Sequence, residues 1–395
     1  MKLLPEDKFI INCSRVSISN PLDREICRAV TERAINWEMV YKNAYRHKVV
    51  PLIYCHLKRL KLLSYINIEV RGKFEAVYRE NKLKNGVYLR ESLMLLDAFG
   101  NQGIKAVLTK GAYLVQFVYE DPALRYFVDV DILVGKTDFT RACSIMQESG
   151  YTIGKYNKDE GKIFEMSKGE KLFWHKFLGH LPFSKMSKSK YCEAINIEVH
   201  FDFFMEACRG GLTDDLINNT NVIIVKNRSL PCLNEVNLII HQCCDLFKDI
   251  YDMKKIKDNS NLRMSKFCDV FEIINIYKAK IDWEVFIKTV DNNRLRLPVY
   301  LCFSHINLLY DEVIPQGLLK RLMPGYEDLT GEFKSIHIEG DVMDFFNENM
   351  IYCLFNNNKR GIIERLAGIR AANFKRRVDS YRNNIRKFLS RDAKN

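Results

Sequence analysis

Asp129 and Asp131 are the only polar residues in the run Val128 to Val134, and two carboxylates at that spacing call for a cation. Side chains of a β-strand alternate faces, so positions two apart project from the same side, about 7 Å apart at the backbone. On this reading Val128, Val130, Ile132 and Val134 are buried behind the acids. Like charges that close raise each other's pKa unless a cation lies between them. A hard divalent ion with oxygen ligands resolves the conflict, Mg²⁺ above all, with Mn²⁺ as the alternative.

Two further segments carry groups of the same kind. In Ala194 to Phe204, Ile195, Ile197, Val199, Phe201 and Phe203 are apolar, while Glu198, His200 and Asp202 share the other face. That is the period of a half-buried strand. Upstream, Lys110-Gly111 follows the mostly apolar run Ile104 to Leu108 and opens a helical pattern, Ala112 to Tyr119. A glycine between strand and helix lets backbone N–H groups approach a phosphate, and the helix N-terminus favours that anion. Strand, glycine turn, helix and a strand bearing Asp-x-Asp suit the binding of a nucleoside triphosphate through its phosphates and a metal.

The order of these parts resembles the DNA polymerase β-type nucleotidyltransferase superfamily. Within it the chain is most similar to a bacterial branch known only as nucleotidyltransferase family proteins. The residues that carry the resemblance are Lys110-Gly111, Tyr119-Glu120-Asp121-Pro122, Arg125, Asp129-Val130-Asp131-Ile132-Leu133-Val134 and Gly150-Tyr151, with His47 to Leu52 upstream. It implies an α+β fold, a small mixed-sheet polymerase β-like core embedded in mainly helical N- and C-terminal regions. It also implies Asp129, Asp131 and Glu198 as catalytic and metal-binding acids. Lys110, Gly111, Ala112, Arg125 and His200 would lie at the nucleotide, ATP being the favoured NTP. Superfamily members commonly have Gly-Ser at the turn; here Gly111-Ala112 lacks that hydroxyl, and Lys110 and Arg125 supply compensating charge. Asp202 is the competitor for the role of Glu198.

The implied reaction is Mg²⁺-dependent transfer of a nucleoside monophosphate to a hydroxyl or phosphate acceptor, with release of pyrophosphate. The alternatives are a nucleotide- or RNA-binding protein that has kept the fold, or a toxin or defence enzyme modifying tRNA or protein. Arg263 and Lys266 either line the cleft or, for Lys266, pair with Asp269 three residues on. His175 and His180, beside Trp174 and Phe177, have no ligand spacing around them and read as packing groups.

The elements that must position these residues are mostly helical. Amphipathic spacing predicts helices in Glu25–Tyr45 and Ile68–Phe99, then Asp138–Gly150, Asn234–Lys248, Ser265–Ala279, Trp283–Asn292 and Pro298–Val313. The Lys- and Gly-rich segment 155–190 is expected to form a hairpin or a loop over the site. The expected division is a helical region 1–95, a catalytic core 96–207, a helical domain 208–325 and a basic tail 326–395. The chain has 395 residues, 47% of them hydrophobic, enough for a large core. The start Met1-Lys2-Leu3-Leu4-Pro5-Glu6-Asp7 turns charged at once, and no run reaches the apolar length of a membrane helix. Twelve scattered cysteines without a CxxC spacing read as free thiols of a cytoplasmic protein. Residues 359–395 hold twelve Lys or Arg against three acids, a net of +9 out of +12 overall. That stretch is a basic amphipathic pattern, suited to an acidic partner, RNA or a membrane surface, or simply a solvated face.

Overall fold

The computed structural model describes residues 3–32, 35–202, 213–225, 228–252, 255–256, 258–310, 313–324 and 350–355. The basic stretch 359–395, and Phe203 and Phe204 of the second acidic pattern, lie outside the described residues. Among the described residues five α-helices precede the first strand: α1 (Pro5–Cys13), α2 (Asn20–Glu32), α3 (Trp37–His47), α4 (Val50–Arg59) and α5 (Ile68–Asn101). The single helix expected over Glu25–Tyr45 is thus two. Asn36 restarts the chain as an N-cap, its side chain accepting from the Met39 N–H. Asn67 does the same for α5, accepting from Val70.

The sheet follows as β1 (Ala106–Thr109), α6 (Lys110–Phe117), β2 (Val130–Val134), α7 (Phe139–Glu148), β3 (Thr152–Asn157), β4 (Lys162–Glu165), α8 (Lys168–Leu178), β5 (His180–Met186) and β6 (Ala194–His200). Its strand order is β1-β2-β6-β5-β3-β4. Only β2 and β6 run parallel; the other neighbours are antiparallel. Segment 155–190 therefore folds as most of the β3–β4 hairpin, α8 and all of β5. A mixed six-stranded sheet among helices is compatible with the α+β class.

Beyond the sheet come α9 (Thr213–Asn218), a separate hairpin of β7 (Asn221–Val225) and β8 (Arg228–Cys232), and then α10 (Glu235–Tyr251), α11 (Met264–Tyr277), α12 (Trp283–Asn292), α13 (Arg296–Tyr310), α14 (Gln316–Leu322) and α15 (Met350–Phe355). The β7–β8 hairpin is not anticipated by the sequence reading. No described helix is long and apolar enough to cross a membrane.

Two polar fastenings hold the segment that leads into β2. The first comes from one face of α5, at helical spacing. Asn81 donates to the Ala123 carbonyl at 2.5 Å, Lys84 to Phe127 at 2.8 Å, Asn85 to Pro122 at 2.6 Å and to Arg125 at 2.8 Å, and Tyr88 to Val128 at 3.0 Å. These bonds satisfy carbonyls that the loop between α6 and β2 cannot pair within itself. The second is ionic. Arg125 donates to both oxygens of Asp269 on α11, Nε at 2.7 Å and Nη2 at 2.6 Å, and Tyr119 adds its hydroxyl at 2.8 Å. Both charges are buried, Arg125 at 7% exposure and Asp269 at 1%.

A buried pair of this kind is expensive to break and cheap to replace, because removing one partner strands the other charge away from water. Asp269→Ala should therefore lower unfolding free energy by about 3–5 kcal/mol. The double replacement Arg125→Met with Asp269→Leu should recover most of that loss. Denaturant melts of the three proteins check it; equal destabilisation by single and double variants would show that packing, not charge, carries the contact.

Candidate active site

The parallel pairing of β2 with β6 sets Asp131 directly opposite Glu198, and β1 sets Thr109 opposite Asp131. Neighbouring residues in register on adjacent strands share a face, so the two carboxylates meet although 67 positions separate them in sequence. His200 lies two residues beyond Glu198 on the same face. Its Nε2 is 2.9 Å from Asp131 Oδ1 and 3.4 Å from Glu198 Oε2. Ligand atoms of Asp131, Glu198 and His200 all lie within 4.8 Å of one another.

Asp129 is placed differently from the expectation. Strand β2 starts at Val130, so Asp129 precedes it and is not on a regular pleat. Val128, expected in the core, is 46% exposed. The physical reason is the pull of α5, which holds the Phe127 and Val128 carbonyls and turns this end of the run outward. Asp129 still feels the other acids. Burial, then the charges of Asp131 and Glu198, push its carboxyl up from 3.8 to about 7.

Lys110 answers the opposite need. Its Nζ donates to Asp131 Oδ1 at 2.5 Å. Burial works against its charge, but Asp131, then Asp245 and Glu198, outweigh it and hold the ammonium above its ordinary range. For Asp131, burial favours the neutral acid, yet Lys110 and the His200 bond keep it ionised. Glu198 is held at about 2 despite burial, chiefly by its bond to His200. Burial opposes the His200 imidazolium too, and bonds to Asp131 and Glu198 overcome it, raising His200.

The Gly111 position is explained by packing. A Cβ there would lie 2.7 Å from the Phe127 Cβ, so the turn needs glycine to admit the loop that enters β2. The backbone residue in the left-handed region is Lys110, at φ 48°. Ala112 is fully buried. Arg125 is engaged with Asp269 and with the Tyr126 carbonyl. Lys266 pairs with Asp245, and at 3.5 Å with Asp249. The expected Lys266–Asp269 pair is corrected, because Asp269 belongs to Arg125.

His180 packs edge-on against Trp174 at 4.8 Å, in keeping with its reading as a packing group. Its ring also stacks on His200 at 4.6 Å, and its Nε2 is 3.5 Å from Glu198 Oε2. Burial and the neighbouring His200 charge lower it to about 4. His175 packs between Phe139 and Phe201, as expected. Asp202 lies past the end of β6 and is outside the ligand group.

Helix α10 adds groups the sequence reading did not single out. His241, Asp245 and Lys248 recur at helical spacing on a largely apolar helix. Burial and then Lys110 lower His241 to about 3. Asp245 is kept ionised against burial by Lys266 and Lys110. Burial and then Lys110 lower Lys248. The signal was available: polar residues four and three apart among Ile, Leu and Cys, where a core helix would be apolar.

The donor atoms that converge are those of Asp131, Glu198 and His200, and Asp129 lies outside that group. Among the described residues its carboxylate has no hydrogen-bond or ion-pair partner, and two ionised acids press on it. An ion with oxygen and imidazole ligands would relieve that repulsion and hold Asp129, Asp131 and Glu198 in their ionised forms. The residues fit such an ion.

The sequence of residues 33–311 matches the family described as uncharacterised nucleotidyltransferase. No curated protein matches the chain. The matched span runs from α3 to the end of α13 and takes in the whole six-stranded sheet, the acids at its centre and the α10–α11 pair that faces them. The chain belongs to this uncharacterised nucleotidyltransferase family.

Proposed function

We propose that the protein transfers a nucleoside monophosphate from an NTP, ATP in the first instance, to a hydroxyl or phosphate oxygen of an acceptor. The acceptor oxygen bonds to the α-phosphorus, the bond from that phosphorus to the bridging oxygen breaks, and pyrophosphate leaves with the electron pair. The observation that carries this reading is the register of Asp131 with Glu198, which joins two acids to His200 and to the buried cation Lys110. Family membership supports the reaction class.

In this reading Asp129, Asp131 and Glu198 hold Mg²⁺ or Mn²⁺, which when bound neutralises phosphate charge and lowers the pKa of the attacking hydroxyl. Glu198 receives the acceptor's proton at a carboxylate oxygen, and His200, bonded to Glu198 and Asp131, keeps both acids oriented. Lys110 with the Gly111 turn meets the triphosphate from the α6 side. Arg125, committed to Asp269, holds the cleft wall together. The basic stretch 359–395 is assigned to an acidic acceptor such as RNA. In-line displacement at phosphorus asks mainly for positioning and neutralised charge, which these groups provide.

The test is incubation of the protein with each labelled NTP, Mg²⁺ and a cell extract. Label should pass to one fraction and pyrophosphate should appear. NTP binding without any transfer across all fractions would favour a binding protein.

Site variants divide the roles. Loss of groups that merely orient metal ligands costs about 10–100-fold, so Asp129→Asn and Asp131→Asn should each lower kcat by more than about 100-fold. Their metal-free stabilities should move oppositely. Asp129→Asn removes an unpaired repelling charge and should raise Tm at pH 8, whereas Asp131→Asn strands Lys110 and should lower it. Melting curves in EDTA read this directly, and matching shifts would refute the charge assignment.

Glu198→Gln should reduce kcat far more than NTP affinity, since its work falls in the transition state. Asp202→Asn should leave kcat near wild type. The reverse pattern would move the third acid to Asp202.

A further inference from the structure

Beside the acidic site, the ring of Tyr126 carries two ammonium groups. Lys48 Nζ lies 4.4 Å from the ring centroid and Lys84 Nζ 4.9 Å. Lys48 is also 4.8 Å from the Tyr45 ring, and Lys84 5.5 Å from that of Tyr88. A third cation, Arg263, sits at the N-cap of α11. After burial, its charge is what most disfavours the Lys48 ammonium. The Arg263 Nε is buried without a hydrogen-bond partner.

Among the described residues, none of these three cations forms an ion pair; Lys84 donates only to the neutral Phe127 carbonyl. The contrast with the rest of the cleft is informative. Lys110 is neutralised by Asp131, and Lys266 by Asp245. Two of the uncompensated charges, Lys48 and Lys84, therefore lie over Tyr126, and the charge of the third, Arg263, acts on both Lys48 and Tyr126. The backbone says the same of Lys48, which closes α3 in the left-handed region at φ 60°. Glycine fills such a position with least strain, so what lysine adds there is its ammonium. Half-buried like charges around one ring repel and lose hydration unless an anion joins them.

The cluster borders the acids at a defined point. Tyr126 feels the charge of Asp129, and Asp129 favours the Lys84 ammonium. The neighbouring end of the site is the unpaired Asp129, on the far side of Asp131 in sequence from the β1 turn.

We propose that Lys48, Lys84 and Arg263 form a phosphate subsite on the Asp129 side of the cleft, and that it receives a phosphate group of the second substrate. Two ammonium groups and a planar guanidinium supply multiple charged donors to one dianion. Tyr126 orders the lysines through its face while leaving their N–H groups to the ligand. The NTP phosphates belong to the Lys110 and Gly111 side, so a phosphate here comes from the acceptor. The assignment to the second substrate rests on the transferase reading; the binding of phosphate does not.

The test uses the full-length protein, saturated with Mg²⁺ and an ATP analogue whose α–β bridge cannot be cleaved. Inorganic phosphate is then titrated in by calorimetry. Wild type should bind it. Lys48→Gln, Lys84→Gln and Arg263→Gln should each weaken that binding roughly ten-fold, the loss expected for one charged hydrogen bond, and leave analogue affinity within about two-fold. Melting curves establish that each variant is folded, and Lys84→Arg, which keeps the charge, should retain phosphate binding. Folded Gln variants that bind phosphate as wild type does would overturn the subsite. Loss of analogue affinity instead would give these residues to the NTP and overturn the second-substrate assignment. Glu198→Gln separates this proposal from the transferase reading: it should sharply reduce transfer while preserving analogue and phosphate binding.

Discussion

Lys110 is the group on which the geometry of this cleft depends. Three carboxylates from three segments, Asp131, Glu198 and Asp245, all act on one buried ammonium. Without it, β2 and β6 would bring two acids face to face in a region that burial makes hostile to charge. With it, Asp131 stays ionised and accepts from His200 as well, so that one oxygen organises three side chains. The arrangement is nearly balanced for three of the acids and unbalanced for Asp129 alone. That residual repulsion is what a bound cation would relieve.

The neighbouring helices serve the same electrostatic order. Asp245 on α10 is shared between Lys110 and Lys266, so the helix that covers the cleft is attached by charge as well as by its apolar face. Arg125 and Asp269 fasten the loop before β2 to α11. Tyr113 and Tyr277 add a hydroxyl contact at 3.4 Å between α6 and α11. Sheet and helical flank are thus joined at the points where the acids are presented. A helical flank held this closely can supply one wall of a substrate cleft, which a sheet edge alone cannot.

Positive charge within the described cleft falls into two kinds. Lys110 and Lys266 are spent on neighbouring carboxylates, while Lys48 and Lys84 lie over the Tyr126 ring, with Arg263 near enough for its charge to disfavour the Lys48 ammonium. The first kind offsets the charge of the buried acids; the second has no carboxylate partner among the described residues.

What the sequence determined by itself was local and periodic. The alternation in Ala194–Phe204 identified a strand with Glu198 and His200 on one face, and helical spacing located α5, α10, α11 and α12 to within a few residues at each end. The Asp-x-Asp run revealed a strand after a turn and a helix. These features follow from side-chain periods of 2 and 3.6, which neighbouring residues express without help from the rest of the chain. Tertiary structure decided the partners. Spacing of three suggested Lys266 with Asp269, but burial gave Asp269 to Arg125, 144 residues away, and Lys266 to Asp245. Histidines without ligand spacing read as packing groups, and the pairing of His180 opposite His200 across β5 and β6 also stacked one of them on the acidic site. Val128 and Asp129 continued the strand pattern, but hydrogen bonds from α5 drew that end out of the sheet. A charge buried in a core takes whichever opposite charge the fold delivers, and distance along the chain does not enter that choice.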